Sequence, residues 1–151
     1  MSIELSPFLS LNGKAKEAIE FYKKHLGAEV LFVVNYKGLK KMDPTFEYID
    51  SEEEYIAHSV LKIGGSILMI ADEIMSDNKD EVIGTNFSLC IQATEKKEVE
   101  KIYNSLLTDE NVKVIMPLEP NIFSHAYCIV KDPFGVVLQI LNEKQPDVEK
   151  K

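Results

Sequence analysis

Hydrophobic and polar positions along this chain follow one pattern that occurs twice. Residues 125–142 (HAYCIVKDPFGVVLQILN) form two segments rich in β-branched and aromatic residues, separated by the turn formers Asp132-Pro133-Phe134-Gly135. Residues 58–72 (HSVLKIGGSILMIAD) repeat this arrangement around two adjacent glycines. Each of these segments is therefore predicted to form a β-hairpin at the end of a repeated unit.

The repeat extends upstream of each predicted hairpin. Residues 15–26 place apolar side chains at helical spacing, and Gly27 follows as a helix stop. The second unit has a similar helix that ends near Leu107, in which Tyr103 corresponds to Tyr22. Strands are predicted before and after each helix, at 6–11 and 29–35 in the first unit and at 85–92 and 112–116 in the second, where Pro117 is expected to end the strand.

These elements predict an α+β protein built from two tandem βαβββ modules. The first module covers 3–73, a polar linker 74–84, the second module 85–143, and 144–151 form a charged tail that we expect to be flexible. The least regular interval is 36–55. A loop of this length is either functional, as a lid or an interface arm, or a solvated insertion, and the sequence leaves both interpretations open.

The composition excludes several classes of function. The net charge is −8 and all 17 basic residues are lysine, so neither a nucleic acid nor an anionic membrane is an expected partner. No apolar run approaches the roughly 18 residues of a membrane span, and the first residues lack a signal-peptide pattern, which together predict a cytoplasmic protein. Cys90 and Cys128 lie in apolar segments and are expected to be buried, reduced thiols.

The order and spacing of these motifs resemble those of a known protein family. The strand-to-helix segment LSLNGKAKEAIEFY, the turn KDPFG and the closing strand VVLQILNEK are similar to those of the vicinal oxygen chelate superfamily, which includes glyoxalase I, extradiol dioxygenases and bleomycin-resistance proteins. The segments IAHSVLKIGGSILMIAD, VIMPL and DPFGVVLQI resemble its PhnB-like branch. One departure is the absence of tryptophan, which relatives often carry where Phe123 and Leu138 stand here.

The resemblance implies a glyoxalase-like fold in which curled mixed sheets surround a cleft. Metal-using members place four ligands in that cleft, on the first and last strand of each module, and the metal polarises two adjacent substrate oxygens. The corresponding residues here are Pro7 or Phe8, Met69, Asn86 or Phe87, and Gln139. None is an ionic ligand, so we expect no metal, no other cofactor and no inherited catalytic residue.

Other polar residues leave alternatives open. His58 and His125 begin equivalent strands and could bind a metal together with Asp72, Glu119 or Glu143, or could simply bond to backbone or water at strand ends. Gln139 interrupts an apolar strand, so its amide either bonds within the sheet region or faces the cleft and contacts a ligand. The candidate ligand-binding residues are Gln139, Met69, Asn86, Phe87, Phe123, Met116, His125 and His58.

Three functional hypotheses follow from the sequence. The first is a PhnB-like, metal-free protein that binds a small organic molecule in the cleft between the modules. The second is a metal-dependent lyase, isomerase or dioxygenase of the superfamily that uses ligands such as His58, His125 and Glu143. The third is a protein-interaction module whose acidic segment 50–54 contacts a partner. The resemblance also implies a homodimer.

Overall fold

A computed structural model describes residues 2–77 and 83–142 of the chain. Residues 2–77 belong to one compact unit and residues 83–142 belong to a second. The tail 144–151, Glu143 and the central part of the predicted linker lie outside the described residues. Among the helices within those two described ranges, none is both long and apolar enough to cross a membrane.

The two units repeat the same order of elements. The first contains β1 (Phe8–Ser10), α1 (Ala15–Leu26), β2 (Glu29–Asn35), α2 (Tyr36–Met42), a 3-10 turn at Asp50–Glu52, β3 (Ile56–Ile63) and β4 (Ser66–Ala71). The second contains β5 (Leu89–Ala93), α3 (Lys96–Leu106), β6 (Lys113–Glu119), β7 (Tyr127–Lys131) and β8 (Val137–Asn142). The predicted α+β class and the two βαβββ modules are therefore confirmed.

Each unit contains one mixed, four-stranded sheet. The strand order is β1-β4-β3-β2 in the first sheet and β5-β8-β7-β6 in the second. β1 is parallel to β4, and β5 is parallel to β8, whereas the other neighbours are antiparallel. The crossover between the parallel strands includes the helix, because parallel neighbours cannot be joined by a tight turn.

The helix of each unit covers one face of its sheet. In β4 and β8 the buried side chains alternate with half-exposed ones, as expected for strands that face a helix on one side only. The buried positions of the central strands and helices form the two cores, whose largest fully buried side chains include Tyr22, Leu61, Ile70, Leu106, Leu138 and Ile140. The opposite face, which we call the helix-free face, carries the alternate residues of every strand.

Asp72 connects three elements of the first unit. Its side chain is 3% exposed and accepts hydrogen bonds from the backbone N–H of Gly13 (2.6 Å), Ala15 (2.9 Å) and Ile56 (2.7 Å). Lys14, at the N-cap of α1, makes no side-chain capping bond, so Asp72 satisfies N–H groups at that helix start from a distant strand end.

A second carboxylate fixes the turn of the last hairpin. Asp132 is buried, and one of its oxygens accepts from the backbone N–H of Phe134 and of Val136, both at 2.9 Å. Gly135 has φ 89°, a left-handed conformation that a residue with a Cβ rarely adopts. The predicted turn at 132–135 is therefore confirmed, and its sequence explains its shape.

Strand β6 differs from its prediction. It extends to Glu119, so the expectation that Pro117 ends the strand at residue 116 is wrong. β6 is the outer strand of its sheet, and its pairing with β7 shifts register between Met116 and Glu119. Proline is tolerated at such an irregular place on an outer strand because no regular ladder bond requires its missing N–H.

The interval 36–55 is more regular than expected. It begins with α2, and the backbone N–H of Tyr36 donates to the carbonyl of Tyr55 (2.8 Å), which ties the two ends of the interval together. The ring of Tyr36 contacts those of Phe46, Tyr48 and Tyr55 at centroid distances of 5.2 to 6.1 Å. The interval is thus a compact insertion packed by its own aromatic side chains, and its role as lid or interface arm stays a prediction.

We expect Asp72→Ala to destabilise the protein by about 3 kcal/mol or more, because it leaves three backbone N–H groups, two at the start of α1 and one at the start of β3, without an acceptor. The measurement is equilibrium unfolding by urea. Asp43→Ala is the matched control, since Asp43 is an exposed aspartate whose side chain accepts hydrogen bonds from nearby Thr45. Equal unfolding midpoints for the two variants would contradict the assigned role of Asp72.

Candidate functional site

The helix-free face of the first sheet carries a row of four apolar side chains. Phe8 pairs with Met69, Met69 with Val60, and Val60 with Phe32, so the row crosses all four strands. All four side chains are half-exposed or exposed, with Phe8 39% and Phe32 45% exposed. An exposed row of this kind provides a hydrophobic contact surface rather than part of the core.

His58 lies next to this row, and two phenylalanine rings contact it. The ring centroids of Phe8 and His58 are 6.1 Å apart with nearly parallel planes (17°), and Phe32 lies at the same centroid distance at an angle of 48°. Together with Met69 and Val60, these three rings form what we call the aromatic patch. Planar side chains and a thioether are the groups that pack best against an aromatic molecule.

The second sheet has the same row with different chemistry. Cys90 pairs with Gln139, Gln139 with Ile129, and Ile129 with Met116. Gln139 occupies the place that Met69 has in the first sheet, and Cys90 occupies the place of Phe8. The helix-free face of this sheet is therefore more polar at its centre.

Two hydroxyl groups hold the amide of Gln139. The Tyr127 hydroxyl donates to Oε1 of Gln139 at 2.7 Å, and Nε2 of Gln139 donates to Oγ of Ser88 at 2.7 Å. Both bonds are partly buried. Of the two alternatives for Gln139, a bond within the sheet region is therefore present, and the side chain also lies on the helix-free face.

The remaining predicted ligand-binding residues lie apart from the two rows. Asn86 and Phe87 precede β5 and are exposed. The side-chain oxygen of Asn86 lies close to Gly84, where an added Cβ atom would be 3.3 Å away from it. Phe123 is 76% exposed in the loop before β7, and His125 is exposed just before that strand. Their contact with a ligand stays a prediction, as does that of the row residues Met69, Met116 and Gln139.

The donor atoms on the helix-free faces do not fit a divalent metal of the superfamily. The equivalent positions of the two rows hold a phenylalanine, a thioether, a single thiol (Cys90) and an amide whose oxygen already accepts from Tyr127. Cys90 stands at the place for which the resemblance indicated Asn86 or Phe87, and one thiol with these neighbours falls short of the three protein ligands that a catalytic zinc site uses. Elsewhere, Asp72 is committed to three backbone N–H groups, and within residues 2–77 and 83–142 no three histidine, cysteine or acidic side chains lie close enough to hold a metal. We therefore derive no chemistry through a metal.

The two cysteines differ in their surroundings. Cys128 is fully buried in β7, and this burial raises the pKa of its thiol to about 11. Cys90 is exposed on the helix-free face beside Gln139, so the expectation that it is buried is wrong. The reason is that β5 turns Cys90 away from α3, a direction that depends on strand register and not on the apolar character of the segment.

Sequence reasoning missed six residues of these rows and their supports, namely Phe32, Val60, Cys90, Ile129, Ser88 and Tyr127. Ser88 and Tyr127 lie two residues from the positions that pair with Gln139, and alternation along β5 and β7 would have placed them on its face. Phe32 and Cys90 carry no comparable signal, because their pairing depends on a register shift in β2 and on where β5 begins.

Residues 5–140 match the family model described as the Glyoxalase/Bleomycin resistance protein/Dioxygenase superfamily. This chain belongs to that superfamily. The match covers both sheets and both rows, which confirms the resemblance drawn from the sequence.

Individual relatives agree with this assignment. Protein YjdN of Escherichia coli is 29% identical over 146 residues, which cover 93% of this chain and 96% of YjdN. The crystal structure of protein PA1353 from Pseudomonas aeruginosa has a TM-score of 0.77 at 26% identity and covers 95% of this chain and 100% of its own. A Bacillus cereus structure described as a putative 3-demethylubiquinone-9 3-methyltransferase, PhnB protein, has a TM-score of 0.69 at 22% identity, with 93% and 99% covered, and shows the shared fold.

We expect a thiol reagent such as 5,5′-dithiobis(2-nitrobenzoate) at pH 8 to modify Cys90 in the folded protein and to leave Cys128 unmodified. The thiolate is the reactive form, and a buried thiol with a pKa of about 11 contains almost none of it at that pH. The measurement is the number of thiols released before and after unfolding. Cys90→Ser should abolish the reaction of the folded protein, and rapid modification of both cysteines would contradict the structure.

Proposed function

We propose that this member of the superfamily binds a small, largely aromatic organic molecule against the helix-free faces of its sheets, without a metal ion. The observation that carries the proposal is the aromatic patch. It occupies the positions at which the resemblance to metal-dependent relatives would lead one to expect metal ligands, Phe8 and Met69. A surface with apolar side chains at these positions suits contact with carbon atoms and not coordination of an ion.

The shape of the patch supports a planar ligand. Phe8 and Phe32 lie on outer strands at opposite ends of the row, and Met69 and Val60 lie between them on the two inner strands. A flat ring that covers the inner pair would contact the phenylalanine rings at its edges. Burial of apolar surface contributes about 25 cal/mol per Å², so a ligand of a few rings has enough area for binding in the micromolar range.

The charge of the protein supports a neutral ligand. The net charge is −8 and the chain contains no arginine, the side chain best suited to bidentate capture of carboxylate or phosphate. The aromatic patch itself contains one ionisable side chain, His58. A phosphorylated or strongly anionic molecule would thus find little compensation for the loss of its hydration.

We expect the neutral fluorescent probe N-phenyl-1-naphthylamine to bind saturably to the protein and to bind at least about 5-fold more weakly to Phe8→Ala and Phe32→Ala. Each substitution removes one aromatic contact of the patch, for which about 1 kcal/mol is a typical loss. The measurement is fluorescence titration.

Val33→Ala is the matched control for this titration. Val33 is exposed and neighbours Phe32 in β2, but it pairs with Ser59, whose side chain is buried on the helix side of the sheet. Its removal should leave the affinity unchanged. Absence of saturable binding, or an equal effect of all three substitutions, would overturn the proposal.

Metal dependence distinguishes this proposal from a metal-dependent lyase, isomerase or dioxygenase. We expect protein purified without chelator or nickel resin to contain no stoichiometric metal, and titration with Ni, Zn, Mn, Fe(II) or Mg to give no saturable rise in melting temperature. A ligand present at 100 times its Kd would stabilise the folded state by about 2.7 kcal/mol, which a thermal shift detects. A stoichiometric metal that is lost in His58→Ala or His125→Ala would overturn the metal-free proposal.

The expected homodimer stays a prediction, although the outer strands have a suitable composition. β2 and β6 are the last strands of their sheets and expose consecutive apolar side chains, namely Leu31, Phe32 and Val33 in β2, and Val114, Ile115 and Met116 in β6. Outer strands of this kind commonly pair with another surface.

A further inference from the structure

We propose that Ser88 and Tyr127 are positioning residues that hold the Gln139 amide so that it presents one hydrogen-bond donor and one acceptor to a neutral ligand bearing a carboxamide or lactam edge. This inference rests on the proposed function, because it names the ligand class that the second sheet would select. The experiment below uses probes with and without an amide, so that failure of this inference can be distinguished from failure of the proposed function.

Gln139 is the polar centre of an otherwise apolar strand. Its neighbours across the row are Cys90 on β5 and Ile129 on β7, and its strand neighbours Leu138 and Ile140 are fully buried on the other side. A partly buried amide must be hydrogen-bonded, because an amide without partners costs free energy when it leaves water. The hydroxyl groups of Tyr127 and Ser88, on either side of β8, provide these hydrogen bonds.

The two supports contact the amide from opposite directions. Tyr127 pairs with Leu141, two residues after Gln139, and Ser88 precedes the Cys90–Gln139 pair by two residues. Tyr127 therefore approaches diagonally from β7 and Ser88 diagonally from the side of β5, each at 2.7 Å. An amide held at both of its polar atoms cannot rotate freely about its last torsion.

The remaining bonding capacity of the amide defines the ligand. A glutamine amide has two N–H donors and two acceptor lone pairs. The Ser88 bond uses one donor and the Tyr127 bond uses one lone pair, so one of each is left among the contacts within residues 2–77 and 83–142. The amide oxygen and nitrogen could also be assigned the other way round. Because each hydroxyl can either donate or accept, one N–H donor and one lone pair of the amide would still be free.

A group that offers a donor and an acceptor side by side would complete both remaining bonds. Carboxamides and lactams have this arrangement, whereas ketones lack the donor and carboxylates lack the proton. Because the amide is already held in place, less conformational entropy is lost when a ligand binds to it than when a mobile side chain has to be ordered. Met69, the equivalent residue of the first sheet, offers neither group, so this selectivity belongs to the second sheet alone.

The one charged side chain that alternation places on this face of β7 is Lys131, which pairs with Val137. It offers a carboxylate ligand an alternative to Gln139. A carboxylate probe is therefore included in the test, and its preference over an amide would indicate recognition by Lys131.

The experiment measures three probes of similar size, benzamide, acetophenone and benzoate, by titration of ¹⁵N-labelled protein followed by NMR. We expect benzamide to bind at least about 3-fold more tightly than acetophenone and to shift the side-chain NH₂ signals of Gln139. The preference should disappear in Gln139→Met and fall in Tyr127→Phe and Ser88→Ala, and the affinity for acetophenone should fall less than that for benzamide, because a ketone can complete only one of the two bonds. A purely structural role of the hydroxyls would change both affinities together.

Tyr103→Phe is the matched control, because it removes a phenol hydroxyl from α3 and should leave the preference intact. An unchanged preference in Tyr127→Phe and Ser88→Ala would overturn the inference, as would unshifted Gln139 signals at saturation or a preference for benzoate that is lost in Lys131→Met. If N-phenyl-1-naphthylamine and acetophenone bind but benzamide has no advantage, this inference fails and the proposed function remains. If none of the probes binds, both fail.

Discussion

The first unit depends on one buried carboxylate at the end of a strand. Asp72 follows β4 and accepts backbone hydrogen bonds from the start of α1 and from the start of β3. The free-energy cost of burying a carboxylate is offset because three N–H groups, two of them at a helix N-terminus, replace its water. This arrangement fixes the start of α1 relative to the ends of β3 and β4.

The second unit has an uncharged amide at the corresponding junction. Asn142 ends β8 at the equivalent place, and its side-chain oxygen accepts from the backbone N–H of Ala126 (2.8 Å). The Ser124 hydroxyl lies 2.5 to 3.0 Å from three oxygens, the carbonyls of Ala126 and Asn142 and the Asn142 side-chain oxygen, and its one hydrogen can donate to one of them at a time. The two units thus share a bond from the start of the third strand to the end of the fourth, made by a carboxylate in the first unit and by an amide in the second.

The same divergence appears in the two rows on the helix-free faces. Strand pairing places Met69 and Gln139 at corresponding positions, yet one is surrounded by aromatic rings and the other by hydroxyl groups. Side chains on this face do not pack against the helix, so they can change chemistry without disturbing the core. Proteins that share a backbone can in this way carry different chemistry on the free faces of their sheets.

The spacing of hydrophobic residues and the turn-forming residues determined several elements from the sequence alone, because these elements depend on local preferences. They are the repeated unit, the helix at 15–26, the strand at 29–35 and the hairpin turn at 132–135. The resemblance to the superfamily, and not these local preferences, led to the expectation that uncharged side chains stand where metal-dependent relatives hold their ligands. Only the tertiary structure decided that Cys90 is exposed, that β6 continues past Pro117, and that Ser88 and Tyr127 hold Gln139. The physical reason is that a contact between strands depends on register and on the starting point of each strand, and a shift of one residue exchanges the two faces.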